Sequence, residues 1–571
     1  MTLKGYVGSS EQRARWGLGD VLILVAVGAL IYGALRLALG APPEVRGPSI
    51  VLAPQALPYY AVLSVGRIAA AYLLSLVFAL AYGYAAARYR TAERGLIPLL
   101  DVLQSVPILS FLPVALLSLS AILPEGLAVE LSSIFLIFTS MAWNLAFSAY
   151  QSFSTVPGDF QEASEVFRLH PWLRFRLVDL PFAMRALVWN SMLSWAGGWF
   201  FLMAAETFSV GQRDFRLPGL GSYLQAAAQA GDNRAVAWGL VALIVTVVAL
   251  DQILWRPALA WAERFRIELV ESEDAMRSWL YEAISRAWVV EWALTHFWRP
   301  LGEAFDAALG RLRPLPAAGR AHGARRRLGW AIAVALLAGL GVAAVSAAGF
   351  LAQVPLAEWQ IIALAAGATA ARVAIALAVA VLWTVPAGVA LGTNPRVSRI
   401  AQPAAQVVAS VPATALFPVF VVALITVAGG LNVAAVLLML LGTQWYVLFN
   451  VMAGASSIPR DLYYTSATLG LGPRLQWSTL ILPALYPYLI TGVITASGGA
   501  WNASIVAEYV QVGGKTYRVL GVGALIADAT ARGDFALLFA ATLVLIIVVV
   551  AINRLLWRQL YVRASERFRF D

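Results

Sequence analysis

Two arginines that interrupt apolar runs are the charged residues best placed to meet a solute. Arg67 and Arg372 each lie several residues inside an apolar run that is long enough to span a membrane. A guanidinium is planar and always charged, and its forked donors fit the oxygens of a carboxylate, sulfonate or phosphate group. A matched pair of arginines could therefore attract an oxyanion. The alternative is that both side chains extend to the outer lipid head groups.

Polar side chains within the apolar runs are a second group of candidates, because polar groups in a bilayer tend to face a cavity or a neighbouring helix. The tripeptide Ser-Val-Pro occurs twice. A proline inside a span frees a backbone carbonyl, which can meet a solute together with the serine hydroxyl. The alternatives are hydrogen bonds between helices for the amides and a purely structural bend for the prolines. With the two arginines, the candidates for a solute pathway are Gln104, Ser105, Pro107, Asn144, Ser410, Pro412 and Asn502.

A short polar segment followed by Leu-Pro and a long apolar run occurs twice. Its prolines, Pro181 and Pro483, are 302 residues apart (483 − 181). Proline is tolerated at a helix start, so Leu-Pro fixes a corner between a surface helix and a spanning helix. Helices pinned in this way at 160–176 and 462–478 can pass force from a cytoplasmic partner into the bundle. The alternative is an ordinary interhelical loop. The candidate coupling residues are Glu162, Ala163, Ser164, Leu180, Pro181, Ser466, Ala467, Gly470, Leu482 and Pro483.

The repeat extends beyond these segments and indicates that one helical module is present twice. Upstream the spacing becomes 305 residues, as between Pro107 and Pro412 (412 − 107). The pairs at a spacing of 302 residues include Pro157 and Pro459, Trp143 and Trp445, Gly197 and Gly499, Glu206 and Glu508, and Gly219 and Gly521.

The composition indicates a membrane protein. The chain has 571 residues, of which 60% are hydrophobic and 13% are charged, whereas about a quarter of the residues in soluble domains are charged. The net charge of +10 is attributed to cytoplasmic loops and lipid head groups rather than to nucleic acid. Cysteine is absent and the three histidines are far apart in sequence, so no metal site is expected.

A helix that spans a bilayer needs about 20 mostly apolar residues, and twelve runs meet this requirement. We therefore predict an all-α membrane protein with two tandem six-helix modules, residues 1–258 and 328–571, related by a pseudo-two-fold axis. The predicted spans lie near 18–39, 60–87, 97–120, 129–151, 179–205 and 235–256, and near 328–350, 361–391, 399–426, 430–455, 479–505 and 535–558.

The segment 259–327 between the modules is too polar to span a membrane. Apolar residues at helical spacing from Leu280 to Trp292 predict an amphipathic helix along the cytoplasmic interface; the alternative is a helix that packs on its own bundle. Residues 314–327 are predicted to form a flexible tether. Lys and Arg are concentrated in the loops on the side of the termini, which places both termini and both polar helices in the cytoplasm.

The two polar segments resemble the cytoplasmic EAA coupling loop of ABC-importer permeases, in which Glu-Ala-Ala is followed by Gly and then by Leu-Pro. The first copy keeps Glu162 and Ala163 but has Arg168 where Gly is usual, and the second keeps Gly470 but has Tyr464 in place of Glu. The repeated Ser-Val-Pro and the segment 498–508 resemble permeases of the nitrate, sulfonate, taurine and bicarbonate group. The chain is most similar to members in which two permease modules are fused.

This resemblance implies a type I ABC-importer permease that forms the translocation pathway for a small anionic solute. It implies three partners besides the bilayer: two cytoplasmic ABC ATPase subunits and an extracytoplasmic solute-binding protein. ATP and Mg²⁺ would be held by the ATPases, so the chain itself is expected to have no cofactor and no enzymatic site. The expected location is the cytoplasmic (inner) membrane of a bacterium or archaeon, as a multi-pass protein.

Two other features of the sequence bear on this interpretation. Residues 513–516 resemble the end of a phosphate-binding loop, but Tyr509 stands where the pattern requires Gly. A secondary active transporter can also have two six-helix halves, but it should carry carboxylates in mid-span for ion coupling. The acidic residues of this chain cluster instead at the ends of the predicted spans.

Overall fold

The computed structural model describes residues 18–40, 47–210, 213–265, 278–285, 338–394, 411–424, 429–458, 460–512 and 515–567, with a few isolated residues between these ranges. Long helices dominate the described residues, and the prediction of an all-α membrane protein is confirmed. The only strands in these ranges form two short antiparallel hairpins, which the sequence analysis did not predict.

The helices of the first half begin and end as follows: α1 Leu18–Ala38, α2 Leu57–Arg88, α3 Arg90–Ser105, α4 Leu112–Ser120, α5 Glu125–Ser154, α6 Gly158–Val166, α7 Pro171–Arg174, α8 Leu180–Glu206, α9 Leu220–Gln229, α10 Asn233–Leu250 and α11 Arg256–Ala262. The strands β1 Ser209–Val210 and β2 Arg213–Asp214 join α8 to α9.

The central segment and the second half contain α12 Trp279–Ser285, α13 Ala338–Leu351, α14 Leu356–Gly392, α15 Ala413–Leu424, α16 Gly430–Ser457, α17 Arg460–Thr468, α18 Pro473–Gln476, α19 Leu482–Ala507, α20 Val522–Arg532, α21 Phe535–Ile552 and α22 Arg558–Arg567. The strands β3 Tyr509–Val512 and β4 Lys515–Arg518 join α19 to α20. Lys515 therefore lies on a strand, not at the start of a helix, as a phosphate-binding loop would require.

Seven helices in the described residues are long and apolar enough to cross a membrane, or eight if one bent pair is counted as a span. The total of twelve spans therefore stays a prediction. The bent pair lies where we predicted one span at 97–120: the chain turns by 84° between α3 and the helix that begins at Ile108. Val106 is extended at this break, and Pro107, which follows it, cannot donate the hydrogen bond that would continue the helix.

The duplication is visible in local backbone features as well as in the order of the helices. A π-helical turn occupies Phe175–Asp179 just before α8, and another occupies Trp477–Ile481 just before α19. A second matched pair lies at Asp251–Trp255 and Asn553–Trp557. π-helical turns are rare, so the two halves share an architecture that extends to unusual features of the main chain.

The two halves share a continuous apolar core. Within each half, α2 and α5, and α14 and α16, pack closely at matched glycines, because a side chain at Gly83 or Gly388 would overlap the facing helix. The halves also contact each other directly. Tyr32 of α1 lies 6.1 Å from Phe539 of α21, ring centre to ring centre, and one cluster of buried residues contains members of both halves.

Only part of the predicted central segment falls within the described residues. Leu280 and Ile284 lie on α12, as the helical spacing predicted, whereas Trp288 and the proposed tether at 314–327 lie outside the described residues. Trp292 is half exposed. Whether this segment lies along the membrane interface stays a prediction.

Candidate functional site

An ion-pair network joins four helices of the first half. The Arg67 guanidinium of α2 donates 2.8 Å to Glu206 Oε1 at the end of α8, and it makes two further hydrogen bonds to the Glu130 carboxylate of α5. Ser64 Oγ also donates to Glu206 Oε1, and the Gly221 N–H at the start of α9 donates to Glu206 Oε2. The Arg67 and Glu206 side chains are 4% and 0% exposed, so this ion pair is shielded from solvent, whereas the Glu130 side chain is partly exposed.

The second half contains the same network at equivalent residues. Arg372 of α14 donates 2.7 Å to Glu508 Oε1 just after α19, and Thr369 Oγ1 donates to the same oxygen. The Gly523 N–H of α20 donates to Glu508 Oε2. Thr369 takes the place of Ser64, and one partner differs in charge: Asn432 accepts from Arg372 where Glu130 accepts from Arg67. The first network thus carries one more negative charge than the second.

These networks change the interpretation of the two arginines. Arg67 and Arg372 each make four hydrogen bonds through their guanidinium groups. One of the four goes to a backbone carbonyl, that of Pro218 for Arg67 and that of Leu520 for Arg372. A guanidinium has five N–H donors, so little capacity is left for a solute. Both side chains are buried, so neither reaches the head groups. The arginines therefore hold α2 to α8 and α14 to α19, and an oxyanion-binding role has no geometric support.

Gly219 and Gly521 are needed at these networks for close approach and not for a left-handed backbone. Their φ values of −178° and −177° are extended, which any residue can adopt. A side chain on Gly219 would overlap the Glu206 carboxylate, and one on Gly521 would overlap the Glu508 carboxylate. Both glycines are visible in the sequence as a repeated pair, but their contacts are not.

We expect Gly521→Ala to lower the stability of the protein, because its methyl group must displace the buried Glu508 carboxylate. Overpacking of this kind costs about 1–3 kcal/mol, measured as a lower midpoint of thermal unfolding in detergent. Gly498→Ala in α19 is the matched control, since no atom lies within 4 Å of the added methyl group. Alanine is the better helix former, so the control should be neutral or stabilising. Equal losses in both variants would contradict this role of Gly521.

The two predicted coupling helices, α6 and α17, end in the same way. In each, a backbone N–H beyond the helix donates to the carbonyl of the residue five positions earlier. Leu169 N donates to the Ser164 carbonyl and Leu471 N donates to the Ser466 carbonyl, both at 3.0 Å. This bond defines a Schellman motif, in which one residue takes the left-handed conformation. The residues in that conformation are Arg168, with φ of 49°, and Gly470, with φ of 65°.

The left-handed position explains why Gly is usual there, and it leads to a reciprocal prediction. We expect Arg168→Gly to raise, and Gly470→Ala to lower, the free energy of unfolding by about 1 kcal/mol each, because a Cβ is unfavourable in this conformation. Open space surrounds Gly470, so its loss would be conformational and not steric. Denaturant unfolding of both variants measures the effect. A destabilised Arg168→Gly variant would show that the arginine side chain contributes more than its backbone costs.

The remaining coupling candidates lie on or beside the two polar helices. Ser164 and Ser466 are buried and hydrogen-bond to backbone carbonyls of their own helices. Leu180-Pro181 and Leu482-Pro483 begin α8 and α19. Among these coupling candidates, the exposed residues are Glu162, Ala163, Ala467, Gly470 and Leu482.

Exposed apolar side chains also lie on these two segments, and the sequence analysis did not select them. Val166 and Phe167 are 79% and 75% exposed, and Leu469, which is equivalent to Phe167, is 68% exposed. Tyr464 is exposed as well. Exposed apolar residues on a short polar helix outside the bundle are typical of an interaction surface.

The first coupling segment differs from the second in its contact with the central segment. Asp306 accepts a hydrogen bond of 2.9 Å from the Trp172 indole and forms an ion pair with Arg176. Arg176 also donates to the Gly302 carbonyl. In the second half, Ser478 stands at the position of Arg176 and donates to Leu475 in its own segment. The two segments are therefore alike in backbone and unlike in their surroundings.

The predicted pathway residues are scattered in the structure. Gln104 is exposed at the end of α3, Ser105 is the last residue of that helix, and Ser410 lies outside the described residues. Asn144 is exposed and donates to Ser194 Oγ. Pro107 and Pro412 are buried, and each carbonyl accepts the N–H three residues later. Of these residues, those that the structure describes do not line the cavity described below.

Asn502 joins the two halves. Its Oδ1 atom accepts hydrogen bonds from Ile108 N and Leu109 N, at 2.5 and 3.3 Å, in the turn that follows the first Ser-Val-Pro. On the other side of the interface, Thr414 Oγ1 lies 3.5 Å from the Phe200 carbonyl. Each Ser-Val-Pro turn thus packs against the long helix, α8 or α19, of the opposite half.

A cavity of about 120 Å³ lies between the halves, beside these contacts and near the ends of α8 and α19. The two halves contribute equivalent residues to its wall. The lining pairs include Leu109 and Thr414, Met203 and Ile505, Leu224 and Ile526, and Gln225 and Ala527. α8 runs from the first coupling segment to this wall, so the cavity and the coupling helices lie at opposite ends of the bundle.

The chain matches the family described as binding-protein-dependent transport system inner membrane component at residues 72–254 and 384–560. Similar proteins include the bicarbonate transport system permease protein CmpB of a Synechocystis strain, 30% identical over 162 residues, which cover 28% of the chain and 55% of the relative. The nitrate import permease protein NrtB of Leptolyngbya laminosa is 27% identical over 176 residues, which cover 31% of the chain and 58% of the relative. The taurine transport system permease protein TauC of Escherichia coli is 28% identical over 152 residues, which cover 27% of the chain and 52% of the relative.

The chain spans about half the length of these curated relatives. The two family matches together cover more than half of the chain, and each contains one coupling helix and the long helix that follows it. The resemblance drawn from the coupling loops is therefore confirmed. The chain belongs to the binding-protein-dependent transport system inner membrane components, and it carries their module twice.

Proposed function

We propose that this chain is the transmembrane subunit of an ATP-driven ABC importer and forms the translocation pathway for a small anionic solute. The observation that carries the proposal is the pair of equivalent coupling segments. Each has a short exposed helix, a Schellman end and a π-helical turn that leads directly into a long helix. Two equivalent docking points suit a pair of related ATPase subunits on one side of the membrane.

The second long helix shows how force could travel from such a partner to the pathway. Pro473–Ala507 is one continuous apolar helix of 35 residues, which is about 50 Å long at 1.5 Å per residue. It begins beside the coupling helix, and near its other end Ile505 and Val506 line the cavity. Glu508, one residue beyond it, holds α20 through Gly523. A displacement at the coupling end therefore moves the cavity wall and the helix attached to it.

The partners follow from this proposal. Two cytoplasmic ATPases would bind α6 and α17 and would hold the ATP and Mg²⁺, and an extracytoplasmic solute-binding protein would deliver the solute. The chain itself would then need no cofactor and no ATPase site. In this arrangement both termini and both coupling helices lie on the cytoplasmic side of the inner membrane, and the networks of Arg67 and Arg372 lie toward the outer side.

Purification of the tagged full-length chain from its native host, followed by reconstitution, tests the proposal. We expect an ABC ATPase to copurify and solute uptake into proteoliposomes to require ATP. A Walker-lysine variant of the copurified ATPase is the control and should abolish uptake. Uptake driven by an ion gradient, without any ATPase, would instead establish the alternative of a two-times-six-helix secondary transporter.

A further inference from the structure

The chemistry of the cavity between the halves restricts the solute that it can hold. Its wall is formed mainly by aliphatic and aromatic side chains, and none of the described residues that line it is charged. Both nearby arginines are already bound to internal carboxylates. An anion that enters the cavity therefore loses water without gaining a cationic partner, which is unfavourable unless other contacts compensate.

The wall has four polar side chains, those of Thr207, Gln225, Thr414 and Tyr509, and one of them is available for such a contact. Tyr509 already has an interaction of its own. Thr207 and Thr414 both direct their hydroxyl hydrogens to backbone carbonyls. Gln225 of α9 also lines the cavity, and its Oε1 atom is buried with no hydrogen-bond partner among the residues that the structure describes. A half-turn of the terminal torsion exchanges Oε1 with the NH₂ group, so this carboxamide can turn a donor toward an anion without breaking a bond at Oε1.

The polar contact occurs on one side only. Ala527 occupies the position of Gln225 in the second half, and the neighbouring wall on that side contains Ile505, Val506 and Ile526. Apart from the hydroxyls of Thr414 and Tyr509, the second half contributes apolar side chains to the wall. The cavity therefore has an available polar group at α9 of the first half and a mainly apolar surface opposite. A solute that matches both has a polar head at one end and carbon atoms at the other.

We propose that this cavity selects a small organic anion, whose head hydrogen-bonds to Gln225 and whose carbon chain contacts Ile505 and Ile526, over inorganic oxyanions. The inference rests on the proposed transport function and narrows its substrate class. The apolar wall stabilises a solute in proportion to the apolar area that the solute buries. Nitrate, bicarbonate and sulfate have no hydrocarbon chain to bury, so the apolar wall does not stabilise them.

The size of the cavity sets the length of the carbon chain. A dry protein cavity of roughly 150 Å³ holds benzene, with six heavy atoms. The cavity here, at about 120 Å³, is somewhat smaller. It suits an anion with a chain of one to three carbon atoms, such as ethanesulfonate, which is a convenient probe of this class.

Direct binding to the purified full-length chain in detergent tests the inference. Calorimetric titrations with ethanesulfonate, nitrate, bicarbonate and sulfate at equal ionic strength should give a Kd at least about tenfold lower for ethanesulfonate. In Gln225→Leu that Kd should rise about tenfold, as expected for the loss of a hydrogen bond to a charged group. Gln229→Leu on the same helix is the matched control, because Gln229 is exposed outside the cavity, and its Kd should not change.

Three results would overturn the inference: no binding of ethanesulfonate, equal or tighter binding of an inorganic anion, or equal effects of the two glutamine substitutions. These outcomes are separate from a failure of the proposed function. The binding measurement contains no nucleotide and no ATPase, whereas the importer proposal fails only if uptake proves independent of ATP. If the chain binds inorganic anions tightly and transports them with ATP, the proposed selectivity of the cavity is wrong, whereas the proposed importer function stands.

Discussion

Replacing Arg67 with leucine lowers the stability of the protein by about 3–5 kcal/mol, because it leaves a buried carboxylate without its cation. Glu206 is fully buried and Glu130 is partly exposed, and both carboxylates form ion pairs with the Arg67 guanidinium. The substitution also frees α2 from α8 and α9. We therefore expect a large fall in the midpoint of thermal unfolding in detergent. Arg372→Leu should have a smaller effect, because it leaves only one carboxylate, that of Glu508, without its cation.

The structure supplies its own control for this prediction. Glu130→Asn converts the first network to the composition of the second, where Asn432 already accepts two hydrogen bonds from Arg372. Because the Glu130 side chain is 38% exposed, we expect this change to cost less than about 1 kcal/mol. Equal unfolding midpoints for Arg67→Leu and Glu130→Asn would show that burial of Glu206 does not depend on Arg67.

Placing aspartate at both Phe167 and Leu469 should reduce ATP-dependent uptake by about thirtyfold or more while the chain still folds. The two side chains are the equivalent exposed apolar groups of the coupling segments. Aromatic and apolar anchors at the centre of an interface cost about 2 kcal/mol or more when they are lost, which corresponds to about a thirtyfold change in affinity. The measurements are copurification of the ATPase and uptake into proteoliposomes.

Phe167→Leu is the matched control, since the second coupling segment already has leucine at this position. It should retain most of the uptake. Thermal unfolding of the double aspartate variant should remain near that of the unchanged chain, because both positions are exposed. Undiminished uptake in the aspartate variant would remove these residues from the ATPase interface.

The coupling segments could be predicted because their signals are local and present twice. Pro181 and Pro483 mark the start of long helices, and the departure from Gly at Arg168 pointed to the position that proved to be left-handed. What the sequence could not show is the conformation itself. A Schellman end depends on hydrogen bonds across a whole turn, and no single residue type specifies it.

The partners of the arginines could not be predicted, for the opposite reason. Arg67 and Glu206 are 139 residues apart in the chain, and Arg372 and Glu508 are 136 apart. All four are matched residues in the repeat, but only the packing of α2 on α8 and of α14 on α19 brings each arginine to its glutamate. Gln225 was missed because it lies in a short, mostly small-residue helix. A comparison with its equivalent, Ala527, was the one available signal.

The contact made by Asn502 has a consequence for how such a protein can be assembled. Phe200 stands at the equivalent position in the first half, and a phenyl ring cannot accept the backbone hydrogen bonds that the amide accepts from Ile108 and Leu109. Two copies of the first half would leave both turns without this cap. The first half is thus suited to pair with the second half and not with a copy of itself. Joining them in one polypeptide guarantees equal stoichiometry and excludes mismatched homodimers.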